Sequence, residues 1–154
     1  RHPVLVHTRM VAADVGLTHV ALPVRDVDAT AAFYSRYADM HVVHRRADDG
    51  VGVVWLSDLT RPFVVVCIET AVTHTLGGWG HLGVAVASRD EVDRRVAAAR
   101  DDGIAVQGPF ASGPPVGYWA ILPDPDGHHL EIAHGQHVDA TVASALPEPP
   151  ARSR

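Results

Sequence analysis

Apolar and polar positions along the chain alternate with two periods, and the order of those periods repeats once. Val20, Leu22 and Val24 alternate with small or polar residues, which predicts a strand. Val27–Tyr37 has apolar residues at helical spacing behind Asp26, a suitable N-cap. Three apolar runs then predict strands at His41–Arg45, Val51–Leu56 and Phe63–Ile68. The first half is therefore predicted to be β-α-β-β-β.

The same order returns in the second half. Gly80–Ala87 matches Leu17–Val24, with a histidine near the start of each, and Ser88 begins a helix that runs to Arg100 before Gly103. Three further strands are predicted at Ile104–Val106, Val116–Leu122 and His128–Ala133. We therefore expect an α+β fold of two tandem βαβββ modules with these bounds: 1–15 leader, 16–78 first module, 79–138 second module and 139–154 exposed tail.

The candidate chemistry begins at a tight turn, Pro125–Gly127, that leads into a short apolar strand with Glu131 at its centre. His129 shares a face with Glu131 because residues two apart in a strand point the same way. An ionised carboxylate among apolar neighbours is costly to bury unless it is paired or bound to a cation. His19 and His81 occupy comparable positions in two earlier strands. These three residues would form a cation site if their side chains meet.

Composition narrows the function. The chain has 154 residues and a formal net charge of −5, with 13 Lys+Arg against 18 Asp+Glu, and every basic residue is Arg. This acidic balance argues against nucleic acid and anionic membranes as partners, and no apolar run reaches the roughly 20 residues of a membrane span. A single cysteine, Cys67, cannot form an internal disulfide and is expected to be a core residue. The expected location is the cytoplasm.

The paired modules and the segments HVALPVRDVDATAAFY, GHLGVAV and DPDGHHLEI resemble the vicinal oxygen chelate superfamily of glyoxalases, fosfomycin resistance enzymes, extradiol dioxygenases and bleomycin resistance proteins. The resemblance covers Gly16–Ala133. It implies a cupped mixed sheet around a central cavity, with a divalent metal held by His19, His81 and Glu131. Two imidazoles and one carboxylate leave positions open for substrate, and Fe, Mn, Zn and Ni all remain candidates. Family members commonly pair, so a homodimer is also implied.

The sequence departs from the glyoxalase pattern mainly at the position of a fourth metal ligand. Glyoxalases of this family add a carboxylate from the fourth strand, at a position that falls near Val66, whereas the nearest carboxylate is Glu69. Residues an odd number apart point to opposite faces of a regular strand. We therefore expect Glu69 to be solvated and outside the site, unless a strand bulge rotates it inward.

The remaining candidates have a functional and a structural interpretation. His129 is either a proton shuttle beside the metal or a solvent-facing residue, while His128 on the other face is expected to bond turn backbone. The other histidines are interpreted as surface residues: His41, His44, His74, His134 and His137. Aromatic residues that could line the cavity or the core are Trp55, Phe63, Trp79, Phe110, Tyr118 and Trp119, and strand alternation lets only one of the last two face inward. Gln107–Gly117 is either a flap over the cavity or a plain connection.

Three functions are compatible with this sequence. The first is a metal-dependent lyase or isomerase that acts on a small, vicinally oxygenated substrate chelated to the metal. The second is a metal-free drug-binding protein of the bleomycin resistance type. The third is an Fe(II) extradiol ring-cleaving dioxygenase, although Ile121 stands where those enzymes and the fosfomycin enzymes have a tyrosine. The phosphonate-binding cations of fosfomycin enzymes are also missing, because the chain lacks Lys and has no Arg between Arg100 and Arg152.

Overall fold

The computed structural model describes residues 14–148. Its elements are β1 (His19–Val24), α1 (Val27–Ala38), β2 (His41–Asp48), β3 (Val51–Ser57), β4 (Val64–Glu69), β5 (Leu82–Ala85), α2 (Arg89–Asp101), β6 (Gln107–Ala111), β7 (Tyr118–Pro123), β8 (His129–His134) and α3 (Val138–Ala145). The predicted α+β fold with two βαβββ modules is confirmed. No helix among the described residues has the length and apolar character needed to cross a membrane.

Each module forms its own four-stranded mixed sheet. The N-terminal sheet has the order β1-β4-β3-β2 and the C-terminal sheet the order β5-β8-β7-β6. In both, the first and last strands of the module are parallel neighbours and the other pairs are antiparallel. Within the described residues, β1 and β5 are therefore edge strands with a sheet neighbour on one side only.

Local sequence explains several element boundaries. Asp26 begins α1 because its carboxylate accepts hydrogen bonds from the backbone N–H groups of Asp28 and Ala29. The β2–β3 hairpin turns at Asp49 and Gly50, which have φ of 50° and 81°, as a two-residue turn of the type favoured by the sheet twist requires. These contacts fix where the first module changes direction.

The two modules share one core between their sheets. Helix α1 packs on β3 and β4, and α2 packs on β7 and β8. The ion pairs Arg36–Asp102 and Arg95–Asp39 join the two helices at 2.7 and 2.5 Å. The shared core includes residues of both modules: Tyr34, Tyr37, Cys67, Val92, Val96, Leu122 and Ile132. The helix-bearing face of each sheet is thus buried, and the opposite faces line two cavities that have no residue in common.

Two predicted segments differ from the structure. The strand expected at Ile104–Val106 lies instead at β6, because Ile104 and Val106 pack against the core and sheet pairing begins at Gln107. The flap or connection expected at Gln107–Gly117 therefore begins as a strand. The predicted tail contains the exposed helix α3, which buries none of its residues. Most of the predicted leader, and the end of the tail, lie outside the described residues.

Candidate functional site

The C-terminal cavity, on the open face of the C-terminal sheet, has a volume of about 870 Å³. Strand alternation turns Trp119 and Ile121 of β7 and Glu131 of β8 toward it, since cross-strand partners share a face. The other residues that line it are Gly78, Trp79, His81, Gln107, Phe110, Pro115, Val116, Gln136, Val138, Thr141 and Val142. The wall is therefore mainly apolar, with a few polar groups near one end.

His81 and Glu131 meet at that polar end. His81 Nε2 lies 3.3 Å from Glu131 Oε2, and the glutamate is only 7% exposed. The other carboxylate oxygen, Oε1, accepts a hydrogen bond of 2.6 Å from the Gln136 side-chain amide. His81 Nδ1 lies 2.9 Å from the carbonyl oxygen of Trp79. Each ligand-type side chain is thus held by a second group.

The hydrogen bonds around His81 determine which of its ring nitrogens is free. Because a carbonyl oxygen only accepts, the contact with Trp79 requires a proton on Nδ1. In the neutral ring, the lone pair of Nε2 then faces a carboxylate oxygen of Glu131, so two acceptors confront each other. A proton or a metal ion between them removes that conflict. A histidine that donates its second N–H to a carbonyl is also the usual arrangement of a metal-bound imidazole, so the donor set fits a divalent metal.

His19, the third predicted ligand, lies in a different cavity. It is exposed at the start of edge strand β1, with Nδ1 2.9 Å from Thr18 Oγ1, and lines the N-terminal cavity of about 510 Å³. Among residues 14–148, no group of three His, Cys, Asp or Glu side chains is arranged to hold a metal ion. The structure therefore brings together His81 and Glu131 and leaves His19 apart in the single chain.

Comparison with known proteins identifies the family. Residues 16–132 match the model of the Glyoxalase/Bleomycin resistance protein/Dioxygenase superfamily. An uncharacterised protein of Pseudomonas aeruginosa is 36% identical over 137 residues, which cover 86% of this chain and 97% of that protein. This chain belongs to the Glyoxalase/Bleomycin resistance protein/Dioxygenase superfamily. The resemblance found in the sequence is thus confirmed.

Two solved structures of this superfamily have the same fold. The trypanothione-dependent glyoxalase I of Leishmania major has a TM-score of 0.62 and 19% identity, covering 85% of this chain and 94% of its own. A mutant fosfomycin resistance protein FosX of Listeria monocytogenes, complexed with Mn(II) and 1S,2S-dihydroxypropylphosphonic acid, has a TM-score of 0.64 and 18% identity, covering 82% and 97%. At this identity the likeness concerns the fold alone.

Glu69 lies on the opposite face of its strand from the cavity. β4 pairs with β3 without a register shift, so Val66 lines the N-terminal cavity while Glu69 turns toward α1. Its Oε2 accepts a hydrogen bond of 3.1 Å from the backbone N–H of Val27. The prediction that Val66 and Glu69 face opposite sides of the strand is confirmed, but the prediction that Glu69 is solvated is wrong. Glu69 is half-buried because it binds the N-terminal end of α1, where a carboxylate is favoured.

The aromatic candidates separate into three groups. Trp79, Phe110 and Trp119 line the C-terminal cavity, and Trp55 and Phe63 line the N-terminal one. Tyr118 lies on the helix face of β7, as alternation requires once Trp119 faces the cavity. Its hydroxyl donates a hydrogen bond of 2.5 Å to Asp93, and Arg89 lies over its ring. Tyr118 therefore contacts α2 and does not line either cavity.

His128 joins the two modules. Its Nδ1 accepts from the Leu76 N–H at 3.0 Å, and its Nε2 donates to the Pro23 carbonyl of β1 at 2.8 Å. The backbone that it bonds thus belongs to β1 and to the connection between modules, and not to the turn as expected. Beside it, Asp124 accepts from the Tyr34 hydroxyl at 3.0 Å. Burial raises the pKa of the Asp124 carboxyl group. Burial also raises the pKa of the Tyr34 hydroxyl, and the nearby Asp124 carboxylate raises it further.

Two other predictions concern His129 and Cys67. His129 is half-buried on β8, and its backbone N–H donates to the Leu76 carbonyl at 2.8 Å; its side chain is not among the residues that line either cavity. Cys67 is fully buried, and burial raises the pKa of its thiol to about 12. It is the inert core residue expected from the sequence.

Sequence reasoning missed Gln136 and the carbonyl of Trp79, the two groups that orient Glu131 and His81. Gln136 follows β8 after the left-handed Gly135, whose φ is 85°. A polar residue just beyond a glycine at a strand end carries no specific signal. A backbone carbonyl carries none at all, so neither group was accessible to pattern analysis.

Proposed function

We propose that the chain is a metal-dependent enzyme of the lyase or isomerase type that acts on a small substrate with adjacent oxygens. The observation that supports this most is the 3.3 Å distance between His81 Nε2 and the buried Glu131 carboxylate, with Nδ1 of the same ring directed at the Trp79 carbonyl. A pair of acceptors in this arrangement is stabilised by a cation. A divalent ion there would act as a Lewis acid on the substrate oxygens.

We further propose that the site is completed by His19 of a second copy of the chain, in a homodimer. His19 lies at the start of edge strand β1, and the residues that follow the two histidines at every second position, Ala21 on β1 and Gly83 and Ala85 on β5, are small and uncharged. An edge strand without charges or a bulge can pair with another strand, and Pro23, which has no backbone N–H to donate, limits such pairing to the part of β1 that precedes it. Placing β1 of one chain beside β5 of another extends the sheet and aligns His19 with His81. The apolar, exposed face of α3 and the 94% exposed Trp79 flank the same cavity and are candidates for burial in the pair.

The chain's own residues have defined roles in this proposal. His81, Glu131 and His19 bind the ion; the Trp79 carbonyl holds the His81 proton on Nδ1, and Gln136 fixes the carboxylate. The apolar wall around them excludes water from the substrate. His129, two residues before Glu131, remains the candidate proton carrier.

The second candidate function is metal-free binding of an apolar, drug-like compound. The mainly apolar lining of the C-terminal cavity and the Phe110–Trp119 ring pair, with centroids 4.7 Å apart, favour it. The dioxygenase alternative has less support. Ile121 stands directly opposite Glu131 in the β7–β8 pair and brings no hydroxyl to the site.

Elemental analysis of untagged protein separates these functions. Enzyme chemistry predicts one Fe, Mn, Zn or Ni ion per chain, lost in His81→Ala and retained in the matched control His74→Ala, whose imidazole is exposed. A panel of vicinally oxygenated substrates, including methylglyoxal hemithioacetal, then tests turnover, and oxygen uptake with catechols tests the dioxygenase. Protein that binds no metal but takes up apolar compounds would favour the binding protein instead.

A further inference from the structure

The two cavities differ in charge. Among the described residues, the C-terminal cavity has one formally charged side chain, Glu131. The N-terminal cavity has two guanidinium groups in its wall, Arg46 and Arg61, against one carboxylate, Asp14. The cations are therefore concentrated on the sheet that lacks the His–Glu pair.

Arg46 faces the cavity because of strand alternation. Its neighbour on β2, Arg45, points to the helix face and pairs with Asp28 of α1 at 2.9 Å. Arg46 lies on the other face, with its guanidinium carbon 5.9 Å from the centre of the Trp55 ring. Its Nε is bonded to Asp48 at 2.8 Å, which leaves its two terminal nitrogens available to a ligand.

Arg61 lines the same cavity and forms fewer hydrogen bonds and ion pairs than Arg46. It is exposed, and its Nε donates a weak hydrogen bond of 3.3 Å to Thr60 Oγ1. Within residues 14–148, Arg61 forms no ion pair. The nearby Asp58 carboxylate accepts hydrogen bonds from the backbone N–H and the hydroxyl of Thr60. The Arg61 charge contributes to lowering the pKa of Asp58, so the two side chains are near each other, but no hydrogen bond joins them. A guanidinium group in a cavity wall with N–H donors that no carboxylate accepts suits the bidentate binding of an anion.

We infer that the substrate is an anion with an apolar body, whose acidic group is bound by Arg46 and Arg61. The inference rests on the proposed pairing, in which the N-terminal cavity of one chain faces the C-terminal cavity of another. The apolar body then lies against Phe110 and Trp119. Its anionic end reaches the guanidinium groups beside Trp55, away from the negative charge of Glu131. The class of ligand is an aryl or alkyl carboxylate, or an acid of similar charge.

Calorimetric titration of the metal-loaded protein with 3-phenylpropanoate and with its neutral amide, 3-phenylpropanamide, tests this inference. The two probes differ only in charge at one end. We expect the acid to bind about tenfold more tightly than the amide, because hydrogen bonds to a charged group contribute more than neutral ones. Arg61→Gln and Arg46→Gln should each remove most of that preference, with a much smaller loss for the amide than for the acid, and Arg61→Lys should restore part of it.

Arg45→Gln is the matched control, since this arginine is adjacent in sequence but faces α1. It should keep the full preference for the acid. Equal binding of acid and amide, no binding of either, or an unchanged preference in Arg61→Gln and Arg46→Gln would overturn the inference. Metal content and sedimentation of the same samples report separately on the proposed function: a monomer without metal that still prefers the acid would contradict that function and leave the anion site standing.

Discussion

The two modules have the same topology but unequal chemistry. In the C-terminal sheet, β5 pairs with β8 so that Gly83 lies opposite Glu131. In the N-terminal sheet, β1 pairs with β4 so that Ala21 lies opposite Val66. His81 and His19 each stand two residues before these pairs, so Val66 takes the structural place of Glu131. Equivalent positions of the two modules therefore hold an imidazole in both and a carboxylate in only one.

This inequality is the basis of the proposal that two chains complete one site. The C-terminal module contributes an imidazole, a carboxylate and the Gln136 amide, whereas the N-terminal module contributes an imidazole and a cationic cavity wall. The sheets turn these faces away from each other because both pack their helices into one shared core. In the proposed pair, each face supplies half of the site, and pairing of two chains brings the halves together.

The largest effect is expected from removing Glu131, the carboxylate that the C-terminal module has and the N-terminal module lacks. Glu131→Gln keeps the size and the bond to Gln136 but removes the charge, and we expect metal affinity to fall more than about 100-fold, beyond the range of outer-shell effects. Metal titration with a competing chelator measures it. Glu69→Gln is the control at the end of the first module's last strand and should change affinity less than about tenfold, since Glu69 binds α1. Similar losses in both variants would contradict the assignment.

A smaller effect is expected from the group that holds the carboxylate. Gln136→Leu leaves both ligands of the C-terminal module in place but removes the 2.6 Å hydrogen bond to Glu131. Outer-shell partners of this kind change metal affinity about 10- to 100-fold. Chelator competition should show a loss in that range with unchanged thermal unfolding in the absence of metal. An unchanged affinity would mean that Gln136 does not orient the ligand.

Making the modules more alike should strengthen the site. Val66→Glu places a carboxylate where the first module lacks one, on the half-buried wall of the N-terminal cavity. In the proposed pair this side chain faces the ion, and we expect metal affinity to rise by about tenfold. Val64→Glu is a control on the same face of β4, two residues nearer the strand start. A gain in neither variant, or equal gains in both, would contradict the equivalence of Val66 and Glu131.

The turns before the last strands differ as well, and this difference predicts a pH effect. The turn before β4 is exposed, whereas the turn before β8 buries Asp124, and burial raises the pKa of its carboxyl. A carboxyl group whose pKa is higher in the folded than in the unfolded state stabilises the fold when it is protonated. This contribution is complete at pH values below the unfolded-state pKa, and it is lost as pH rises through the folded-state pKa. Asp124→Asn should therefore gain stability relative to the parent as pH rises from about 4 to 7. Urea unfolding measures it, and a constant difference would contradict the raised pKa.

Sequence patterns predicted what depends on local periodicity. The repeated alternation behind His19 and His81 predicted both modules, and the odd spacing of Val66 and Glu69 predicted that they face opposite sides. β6 was placed too early because Gly108 and Pro109 resemble a loop, although the strand tolerates them at a register shift. α3 was missed because it has only eight residues, too few for the spacing of Val138 and Val142 to indicate a helix. The separation of His19 from His81 depends on how whole modules pack, which no local pattern records.

Complementation between two defective chains tests the shared site most directly. His19→Ala and Glu131→Ala chains, carrying different removable tags, are co-expressed, and the mixed dimer is isolated through both tags and analysed for metal after tag removal. In the proposed pair, one site of the mixed dimer combines intact His19 from one chain with intact His81 and Glu131 from the other, so we expect about half an ion per chain. Each variant alone should bind essentially none. A mixed dimer without metal, or a His19→Ala protein that keeps a full complement, would contradict a site built from two chains.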